Sequence, residues 1–230
     1  SEPSGSGPRT PPAFWGHFDP LMKHSANSST DDRRQLRNRI RRERRALSEL
    51  QQRTASRKLC ANVRSMRAFS RAKRIAVYLA SDGEIDLKPL IELCWKLGKS
   101  VYLPVLHPVR HNRLWFTPYT AQTKLSHNRY RILEPQLKRP GAPAYALDMV
   151  LMPLVAFDSE CNRMGMGGGY YDRTFAFTLA RQRLKGPKLV GMAHDLQRVE
   201  KLSLADWDVP LHAVVTDLST YTRASQPTSD

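Results

Sequence analysis

Apolar residues recur every three, four or seven positions along residues 36–66, which is the spacing of one face of an α-helix. The recurrence predicts two amphipathic helices that dock on a core. Ser48 is a suitable N-cap for the second helix, because its hydroxyl can accept a hydrogen bond from an unpaired backbone amide. The apolar positions are Leu36, Ile40, Leu47 and Leu50, followed by Ala55, Leu59, Val63 and Met66.

Short apolar runs alternate with helical patterns beyond residue 74. Strands are predicted at residues 75–80, 101–106, 114–119, 149–157, 188–193 and 213–217, and helices at residues 87–97 and 170–184. This order predicts an α/β domain with a largely parallel or mixed central sheet and helices on both faces. In such sheets ligands bind beyond the carboxyl ends of the strands.

Length and composition set the domain plan. The chain has 230 residues, of which 40% are hydrophobic, so we expect a single domain over residues 31–218. Residues 1–30 are rich in small and polar residues and are predicted to be a disordered tail, and residues 219–230 a C-terminal tail. No apolar run approaches the roughly 20 residues of a membrane helix. The three cysteines include no C-x-x-C pair, which fits a reducing, cytoplasmic location.

The positive charge is concentrated near the start of the chain. The net charge is +16, and residues 31–74 contribute +12 of it, from sixteen basic and four acidic residues. Such a stretch could bind nucleic acid, an anionic membrane surface or a highly charged small molecule. Because the apolar stripes of the two predicted helices face inward, we expect most of these arginines to be solvated. One or two of them could still reach a ligand.

A cluster of glycines follows the strand predicted at residues 149–157. Four of the 12 glycines lie within five positions, immediately before the helix predicted at residues 170–184. They are Gly165, Gly167, Gly168 and Gly169. Backbone amides of such a loop and of the helix start can bind phosphate, Arg163 supplies a cation, and Asp172 could hold a Mg²⁺ that bridges phosphate oxygens. We therefore predict a phosphate site here.

Two better-known phosphate loops do not fit this cluster. No Gly-Lys-Ser/Thr follows it, which excludes a Walker A loop, and Tyr170 stands where a dinucleotide fingerprint needs its third glycine. A flexible surface turn is the alternative. It is disfavoured because Arg163, two adjacent tyrosines and Asp172 enclose the glycines.

Motifs spread from Arg33 to Asp217 resemble, in their order along the chain, those of the 5-formyltetrahydrofolate cyclo-ligase family, also called methenyltetrahydrofolate synthetases. The matching segments are Arg33 with Arg37, residues 75–80 with 83–86, 103–105, 134–135, 153–158, 163–173 and 207–209. The resemblance covers nearly the whole predicted domain. It implies a three-layer α/β fold and an enzyme that uses Mg-ATP to convert 5-formyltetrahydrofolate into 5,10-methenyltetrahydrofolate, with release of ADP and phosphate.

The resemblance also implies how this reaction proceeds. A formamide oxygen is a poor leaving group, so the γ-phosphoryl group of ATP is transferred to it, and the 10-nitrogen then attacks the formyl carbon as phosphate departs. Phosphoryl transfer depends on positioning and on neutralising the charge of the phosphate oxygens. No side-chain nucleophile is required.

Site residues follow from the same resemblance. The nucleotide-binding residues implied are Arg33, Arg37, Arg163, Met164, Gly165, Met166, Gly167, Gly168, Gly169, Tyr170 and Tyr171, with Arg163 and Tyr171 catalytic. The folate-binding residues implied are Leu79, Glu84, Met166, Gly167, Gly168, Gly169 and Tyr170. The Mg²⁺ ligands implied are Asp172 and Asp208. Each of three positions has another interpretation: Leu79 as a core residue, Glu84 as a charge at a helix start and Asp208 as an ordinary loop acid.

Two departures from the family pattern and two other functions complete the interpretation. Arg33 stands where many relatives have Lys, and Cys161 where a turn glycine is common. A nucleic-acid-binding module would explain the basic stretch, but Phe69 is its only aromatic residue and no recognised nucleic-acid motif is present. An ATP-dependent reaction on another pterin or amide is the second alternative.

We expect a monomer without specific nucleic-acid or membrane partners. His194 could face the same cleft, and His107 and His111 are predicted to be loop residues.

Overall fold

The computed structural model describes residues 20–128, 131–136, 141–180 and 186–224, without the side chains of residues 20–29 and 180. The chain divides into two units, Ser1–Leu36 and Arg37–Asp230. Helix α1 (Pro20–Arg45) begins in the first unit, and the sheet belongs to the second. Residues 20–30, which the sequence assigned to a tail, are therefore helical, and residues 1–19 of that predicted tail lie outside the described residues.

Five described α-helices follow α1 in the second unit, and those at residues 49–64 and 88–96 begin and end close to the predicted positions. The five are α2 (Glu49–Arg64), α3 (Arg67–Arg71), α4 (Lys88–Lys96), α5 (Tyr170–Phe175) and α6 (Phe177–Ala180), with short 3-10 helices at Ala144–Ala146 and Asp195–Gln197. The predicted cap of α2 is confirmed. Ser48 Oγ accepts from the backbone N–H of Gln51 at 3.1 Å, and the Gln51 side chain accepts from the N–H of Ser48 at 2.8 Å, so two amides are satisfied reciprocally.

A seven-stranded sheet forms the centre of the second unit, in the order β11-β10-β9-β6-β1-β2-β3. Its strands are β1 (Arg74–Ala76), β2 (Ser100–Leu106), β3 (Leu114–Pro118), β6 (Met149–Pro153), β9 (Lys188–Met192), β10 (Ala213–Val215) and β11 (Thr220–Thr222). The five central strands are parallel, and the edge strands β3 and β11 pair antiparallel. Two small hairpins complete the described strands: β4 (Leu125–His127) with β5 (Leu133–Pro135), and β7 (Ala156–Phe157) with β8 (Arg163–Met164).

Helices cover both faces of this sheet. Successive residues of a strand point to opposite faces, so each central strand contributes side chains to both layers of the core. Met149 and Leu151 of β6 pack on one side with Ala55, Leu59 and Val63 of α2. The intervening strand residues pack on the other side, with Phe175 of α5 and the partly buried Phe177 of α6. The predicted three-layer α/β fold with a largely parallel, mixed sheet is confirmed.

The run of apolar residues predicted as one strand at 149–157 is interrupted in the structure. β6 ends at Pro153, which has no N–H to donate to a neighbouring strand, and the chain then enters the β7–β8 hairpin. The carbonyl of Leu154 points to side chains instead of a strand, since it accepts from Gln197 Nε2 at 2.9 Å and from Arg44. The hairpin carries the chain from the carboxyl end of β6 to the glycine cluster.

Two further predictions are corrected. The helix predicted at 170–184 is divided into the short α5 and α6, and residues 181–185 lie outside the described residues. The C-terminal tail predicted from residue 219 contains the edge strand β11, which the side chain of Tyr221 anchors. Its ring lies 5.2 Å from that of Phe157, and its hydroxyl donates to Asp195 at 2.8 Å.

Candidate functional site

The candidate site lies at the carboxyl edge of the parallel sheet, where segments following three neighbouring strands meet. The loop after β1 contains Gly83, whose carbonyl lies 3.2 Å from Nε2 of His194 in the segment after β9. The turn after β6 contributes the carbonyl of Leu154, which accepts from Arg44 of α1 at 3.2 Å. This is the edge at which α/β sheets bind ligands.

The glycine loop, residues 165–169, has a backbone that side chains could not readily adopt. Gly167 has φ of 102° and Gly169, the N-cap of α5, has φ of 66°, both in the left-handed region that favours glycine. The absence of a Cβ atom also lets the backbone approach closely at Gly168, where a Cβ would lie 2.8 Å from the ring of Tyr170. Gly167 and Gly168 are exposed, so a ligand can reach the backbone of the loop.

Arg37 connects α1 to this loop. Its Nε donates to the carbonyl of Gly165 at 2.9 Å, and its Nη2 lies 3.8 Å from the position that a Cβ of Gly167 would occupy. The guanidinium therefore lies at the loop, and its role as a phosphate ligand stays a prediction of the resemblance. Arg33 lies one turn earlier on α1, in the first unit of the chain.

Arg163 and Asp172 bracket the loop in sequence and pair with each other in space. Arg163 Nη2 donates to Asp172 Oδ1 at 2.5 Å, and the side chains are 8% and 16% exposed. Arg163 Nη1 lies 3.5 Å from the position that a Cβ of Gly165 would occupy, so its guanidinium lies against the loop. Its Nε is buried without a hydrogen-bond partner among the described residues. A buried donor of this kind costs free energy unless a ligand or a water molecule accepts from it.

The segment that contains Asp208 is held next to Asp172 through the backbone of Val209. The N–H of Val209, the residue after Asp208, donates to Asp172 Oδ1 at 3.0 Å, and the N–H of Ala205 donates to Asp208 Oδ2 at 2.9 Å. In the described part of the chain, no hydrogen bond reaches the other carboxylate oxygen of either residue. Within the same residues, no three His, Cys, Asp or Glu side chains form a metal-binding group.

These two carboxylates fit Mg²⁺, which commonly takes one or two protein carboxylates, with phosphate oxygens and water as its other ligands. They do not fit a metal held by protein ligands alone, since such a site needs more donors than two side chains supply. The donor set therefore suits a metal that arrives with a phosphate.

Glu84 and Tyr171 are half-buried titratable residues that the resemblance assigns to the site. Glu84 Oε2 accepts from the N–H of Ser81 at 3.0 Å, and burial raises the pKa of this carboxyl group. Burial also raises the pKa of the Tyr171 hydroxyl, and the negative charge of Glu84 raises it further, while Arg163 opposes the shift. Glu84 and Arg163 are thus both close enough to act on the Tyr171 hydroxyl, which stays a neutral hydrogen-bond donor.

The remaining folate-binding residues predicted by the resemblance lie in different surroundings. Leu79 is half-buried and packs against the core on the α2 side of the sheet. Part of its side chain therefore belongs to the core, and the rest is exposed. Met166 is exposed at the tip of the loop, and Tyr170 is half-buried with the guanidinium of Arg173 5.8 Å from its ring. Met164, which the resemblance assigns to the nucleotide and not to the folate, is buried in the β7–β8 hairpin.

The sequence interpretation missed a cluster of arginines on α1 that holds the loop after β1. Arg41, Arg44 and Arg45 all bond to Asp82, and none was singled out. A signal for Arg44 exists, because it lies four residues after Ile40 and three before Leu47, on the apolar stripe of the helix.

The three histidines noted in the sequence do not form a metal site. His194 is 2% exposed, and burial lowers its pKa, so it is a packed neutral side chain. His107 lies in the loop after β2, as predicted, and its Nδ1 accepts from the N–H groups of Val109 and Arg110. His111 lies in the same loop, before β3.

The basic residues of α2 and α3 follow the solvated arrangement that the apolar stripes predicted. Arg53, Arg57, Lys58, Arg64, Arg67 and Arg71 are all exposed. Arg53 pairs only loosely with Glu49, at 3.9 Å. Among the described residues, no helix is long and apolar enough to cross a membrane.

Comparisons with known proteins identify the family of this chain. The sequence profile of the 5-formyltetrahydrofolate cyclo-ligase family matches residues 29–217. The 5-formyltetrahydrofolate cyclo-ligase of Escherichia coli K12 is 46% identical over 178 residues, which cover 77% of this chain and 96% of that protein. The enzyme of the same name from Haemophilus influenzae is 41% identical over 188 residues, covering 81% of this chain and 98% of that protein.

A solved structure extends the similarity to the fold. The solution structure of 5,10-methenyltetrahydrofolate synthetase from Aquifex aeolicus superimposes with a TM-score of 0.71 at 31% identity, covering 86% of this chain and 96% of that one. The resemblance and the enzyme class that the sequence predicted are confirmed. The chain belongs to the 5-formyltetrahydrofolate cyclo-ligase family.

Proposed function

We propose that this protein uses ATP and Mg²⁺ to convert 5-formyltetrahydrofolate into 5,10-methenyltetrahydrofolate, with release of ADP and phosphate. The observation that carries the proposal is Arg163, a buried guanidinium beside the glycine loop whose Nε lacks a partner among the described residues. A phosphate oxygen is an acceptor of the right charge for such a donor. The names of the relatives supply the folate substrate.

The glycine loop and Arg37 bind the phosphates of ATP in this proposal. The loop backbone is exposed at Gly167 and Gly168, so its N–H groups can turn toward the phosphate oxygens. Arg37 is anchored through Nε to the carbonyl of Gly165, which places its positive charge at the edge of the loop. The resemblance to the family adds Arg33 as a second cation for the same triphosphate.

The folate is bound on the other side of the loop, by Glu84, Leu79 and the aromatic face of Tyr170. A carboxylate can accept two hydrogen bonds from the aminopyrimidine part of a pterin, and an aromatic ring can stack on it. Glu84 supports this assignment because its side chain is only 15% exposed and its negative charge acts on Tyr171, a residue that Arg163 also influences.

In the reaction, the formyl oxygen attacks the γ-phosphorus, the bond to the β–γ bridging oxygen breaks, and ADP leaves. The 10-nitrogen then attacks the formyl carbon and loses its proton, the carbon–oxygen bond breaks, and the oxygen departs with phosphate. Arg163 spreads its donors over the phosphoryl oxygens during transfer. Tyr171, kept neutral by burial, donates a hydrogen bond to the phosphoryl or formyl oxygen.

Asp172 and Asp208 would hold the Mg²⁺ in this proposal, each through the carboxylate oxygen that carries no hydrogen bond in the described part of the chain. Bound there, the ion neutralises charge on the phosphate oxygens. The pairing of Asp172 with Arg163 keeps both charged groups beside the loop before the nucleotide arrives.

We also propose that the protein acts as a monomer in a reducing compartment such as the cytoplasm. The three cysteines are unpaired, two of them buried. This supports a location where disulfides are not needed.

The test is an absorbance assay for methenyltetrahydrofolate formation from 5-formyltetrahydrofolate, with and without Mg-ATP. We expect product only when Mg²⁺ and ATP are both present. A folded protein that forms no product with Mg-ATP would refute the proposal. Product formed from a different pterin, and not from 5-formyltetrahydrofolate, would favour the alternative substrate.

A further inference from the structure

Arg44, near the end of α1, is the bulkiest fully buried side chain in the described part of the chain, with 1% of its surface exposed. Its guanidinium is surrounded by acceptors. Nε donates to the carbonyl of Asp82 at 2.8 Å and Nη2 to Asp82 Oδ2 at 3.1 Å, while Nη1 donates to the carbonyl of Leu154 at 3.2 Å. Nη2 also lies 4.0 Å from Oε1 of Glu84. A single buried cation thus ties α1 to the loop after β1 and to the turn after β6.

The loop that Arg44 holds would not keep its shape easily by itself. Asp82 and Gly83 are consecutive left-handed residues, with φ of 55° and 75°. Such a conformation costs free energy at Asp82 and persists only where the surroundings impose it. The loop is pressed on the end of α1, since a Cβ on Gly83 would lie 2.9 Å from the carbonyl carbon and oxygen of Arg44. Arg44 therefore fixes this loop with its backbone and with its side chain.

Arg41 and Arg45 also pair with Asp82, but they differ from Arg44. Their side chains are 28% and 50% exposed, and both of them donate to the Asp82 carboxylate rather than to a backbone carbonyl of this loop. Only a planar fork with several N–H groups, buried at this point, can serve two carbonyls and a carboxylate in two segments together. The arrangement at Arg44 places Glu84 at a fixed distance from the turn that leads to the glycine loop.

We propose that Arg44 is a positioning residue for the folate, which sets the place of Glu84 relative to the glycine loop. This inference rests on the proposed function, because it concerns the carboxylate assigned to the pterin. Arg44 touches neither the folate nor the reacting atoms. It acts through Asp82 and through the carbonyl of Leu154.

The first test compares Arg44→Met with Arg39→Met, the same substitution at an exposed arginine of the same helix, 57% exposed and loosely paired with Glu43. Arg44→Met should raise the KM for 5-formyltetrahydrofolate about tenfold and leave the KM for ATP within about twofold, because the phosphate ligands Arg37 and Arg163 keep their contacts. Arg39→Met should leave both constants unchanged. A merely structural role would reduce kcat with the folded fraction and leave both KM values alone, which would overturn the inference.

The second test needs no catalysis. The N–H of Ser81 is donated to the Glu84 carboxylate, and the N–H of Glu84 to the carbonyl of Ser81, so both amides report on the loop. In Arg44→Met these amides should exchange with deuterium at least about tenfold faster than in the wild-type protein, while amides of β9 and β10 are unchanged. Unchanged exchange at Ser81 and Glu84 would overturn the inference.

A third variant, together with the activity of the wild-type protein, distinguishes failure of this inference from failure of the proposed function. Arg44→Lys keeps the charge but loses the fork, so it should show the same folate-selective change in KM even if Arg44→Met does not fold. Wild-type protein without turnover would refute the proposed function. Deuterium exchange in the unliganded variants would then still decide whether Arg44 holds the loop.

Discussion

Arg163 Nη2 and Asp172 Oδ1 lie 2.5 Å apart, on either side of the glycine loop in sequence and against each other in space. The N–H of Val209 donates to the same oxygen, so one carboxylate atom fixes both the arginine and the segment that contains Asp208. The guanidinium is thereby oriented before a ligand binds, and its Nε is left as a buried donor without a partner among the described residues. Pre-oriented donors of this kind are what phosphoryl transfer requires.

Asp172→Asn should abolish most of the turnover. The change keeps the size of the side chain but removes the negative charge that a hard divalent cation favours. We expect kcat to fall by about a hundredfold or more, while 5-formyltetrahydrofolate still binds. Steady-state kinetics and equilibrium folate binding measure the two effects. Turnover close to that of the wild-type protein would show that Asp172 only orients Arg163.

Arg163→Lys should lower the maximal rate rather than merely raise the ATP concentration that is needed. Lysine retains the charge but loses the fork that contacts the phosphoryl group and Asp172 together. The loss should be about 1–3 kcal/mol of transition-state stabilisation, seen in kcat when each substrate is varied in turn. If only the KM for ATP changed, Arg163 would be a ground-state ligand of the nucleotide.

Gly167→Ala tests the backbone of the glycine loop. Its φ of 102° is strained for any residue with a Cβ, so the loop must shift or store about 1–3 kcal/mol. We expect a higher KM for ATP and a lower kcat. Gly98→Ala is a matched control, because Gly98 also has a positive φ, of 71°, and a Cβ added there would meet no described atom within 4 Å. Gly98 follows α4 and is not part of the glycine loop. Equal kinetic losses in both variants would contradict a specific role for the loop.

Asp82 gives a pH dependence of stability whose sign is fixed by its partners. Burial alone would raise its pKa, but hydrogen bonds from Arg41, Arg45 and Arg44 outweigh this and lower it from 3.8 to about 2. Because the folded-state pKa is the lower one, the stabilisation is fully present above about pH 4 and is lost as the pH falls through about 2.

Urea unfolding of the wild-type protein and of Asp82→Asn measures this contribution. The difference in unfolding free energy between them should be constant at about pH 5–7 and should shrink toward about pH 2. A difference that stays constant down to that pH would show that the arginines do not lower the pKa of Asp82.

Nucleic acid should bind weakly and without sequence preference. The exposed arginines of α2 and α3 can contact phosphates but offer no arrangement that reads bases. We expect affinity for duplex DNA and for RNA to fall steeply with salt and not to depend on sequence. A tight, sequence-selective complex at physiological salt would revive the interpretation of the basic stretch as a binding module.

The sequence predicts the layers of this fold well, because they depend on periodicity. The stripe of Ala55, Leu59 and Val63 is on the buried face of α2, and the apolar run after residue 149 forms a central strand. The sequence does not predict where that strand ends. The strand ends at Pro153, and the carbonyl of the next residue, Leu154, accepts from the side chains of Gln197 and Arg44, which are distant in sequence.

The same limit applies to the site. The glycine loop could be recognised from the sequence alone as a candidate phosphate site, because a left-handed backbone favours glycine at the very positions that adopt it. The contact of Arg37 with Gly165 spans 128 residues, and the pairing of Arg163 with Asp172 depends on how the loop folds back. Glu84, Leu79 and Asp208 could be singled out only through the resemblance to a family, because each is an unremarkable residue in its own segment.

The most direct measurement follows the formyl oxygen. If the phosphoryl group is transferred to that oxygen beside Arg163, 5-formyltetrahydrofolate labelled with ¹⁸O in the formyl group must deliver the label to the phosphate that is released. Mass spectrometry of the phosphate after turnover with Mg-ATP should therefore find one ¹⁸O atom per methenyltetrahydrofolate formed. Phosphate without the label, alongside normal formation of product, would contradict phosphoryl transfer to the formyl group.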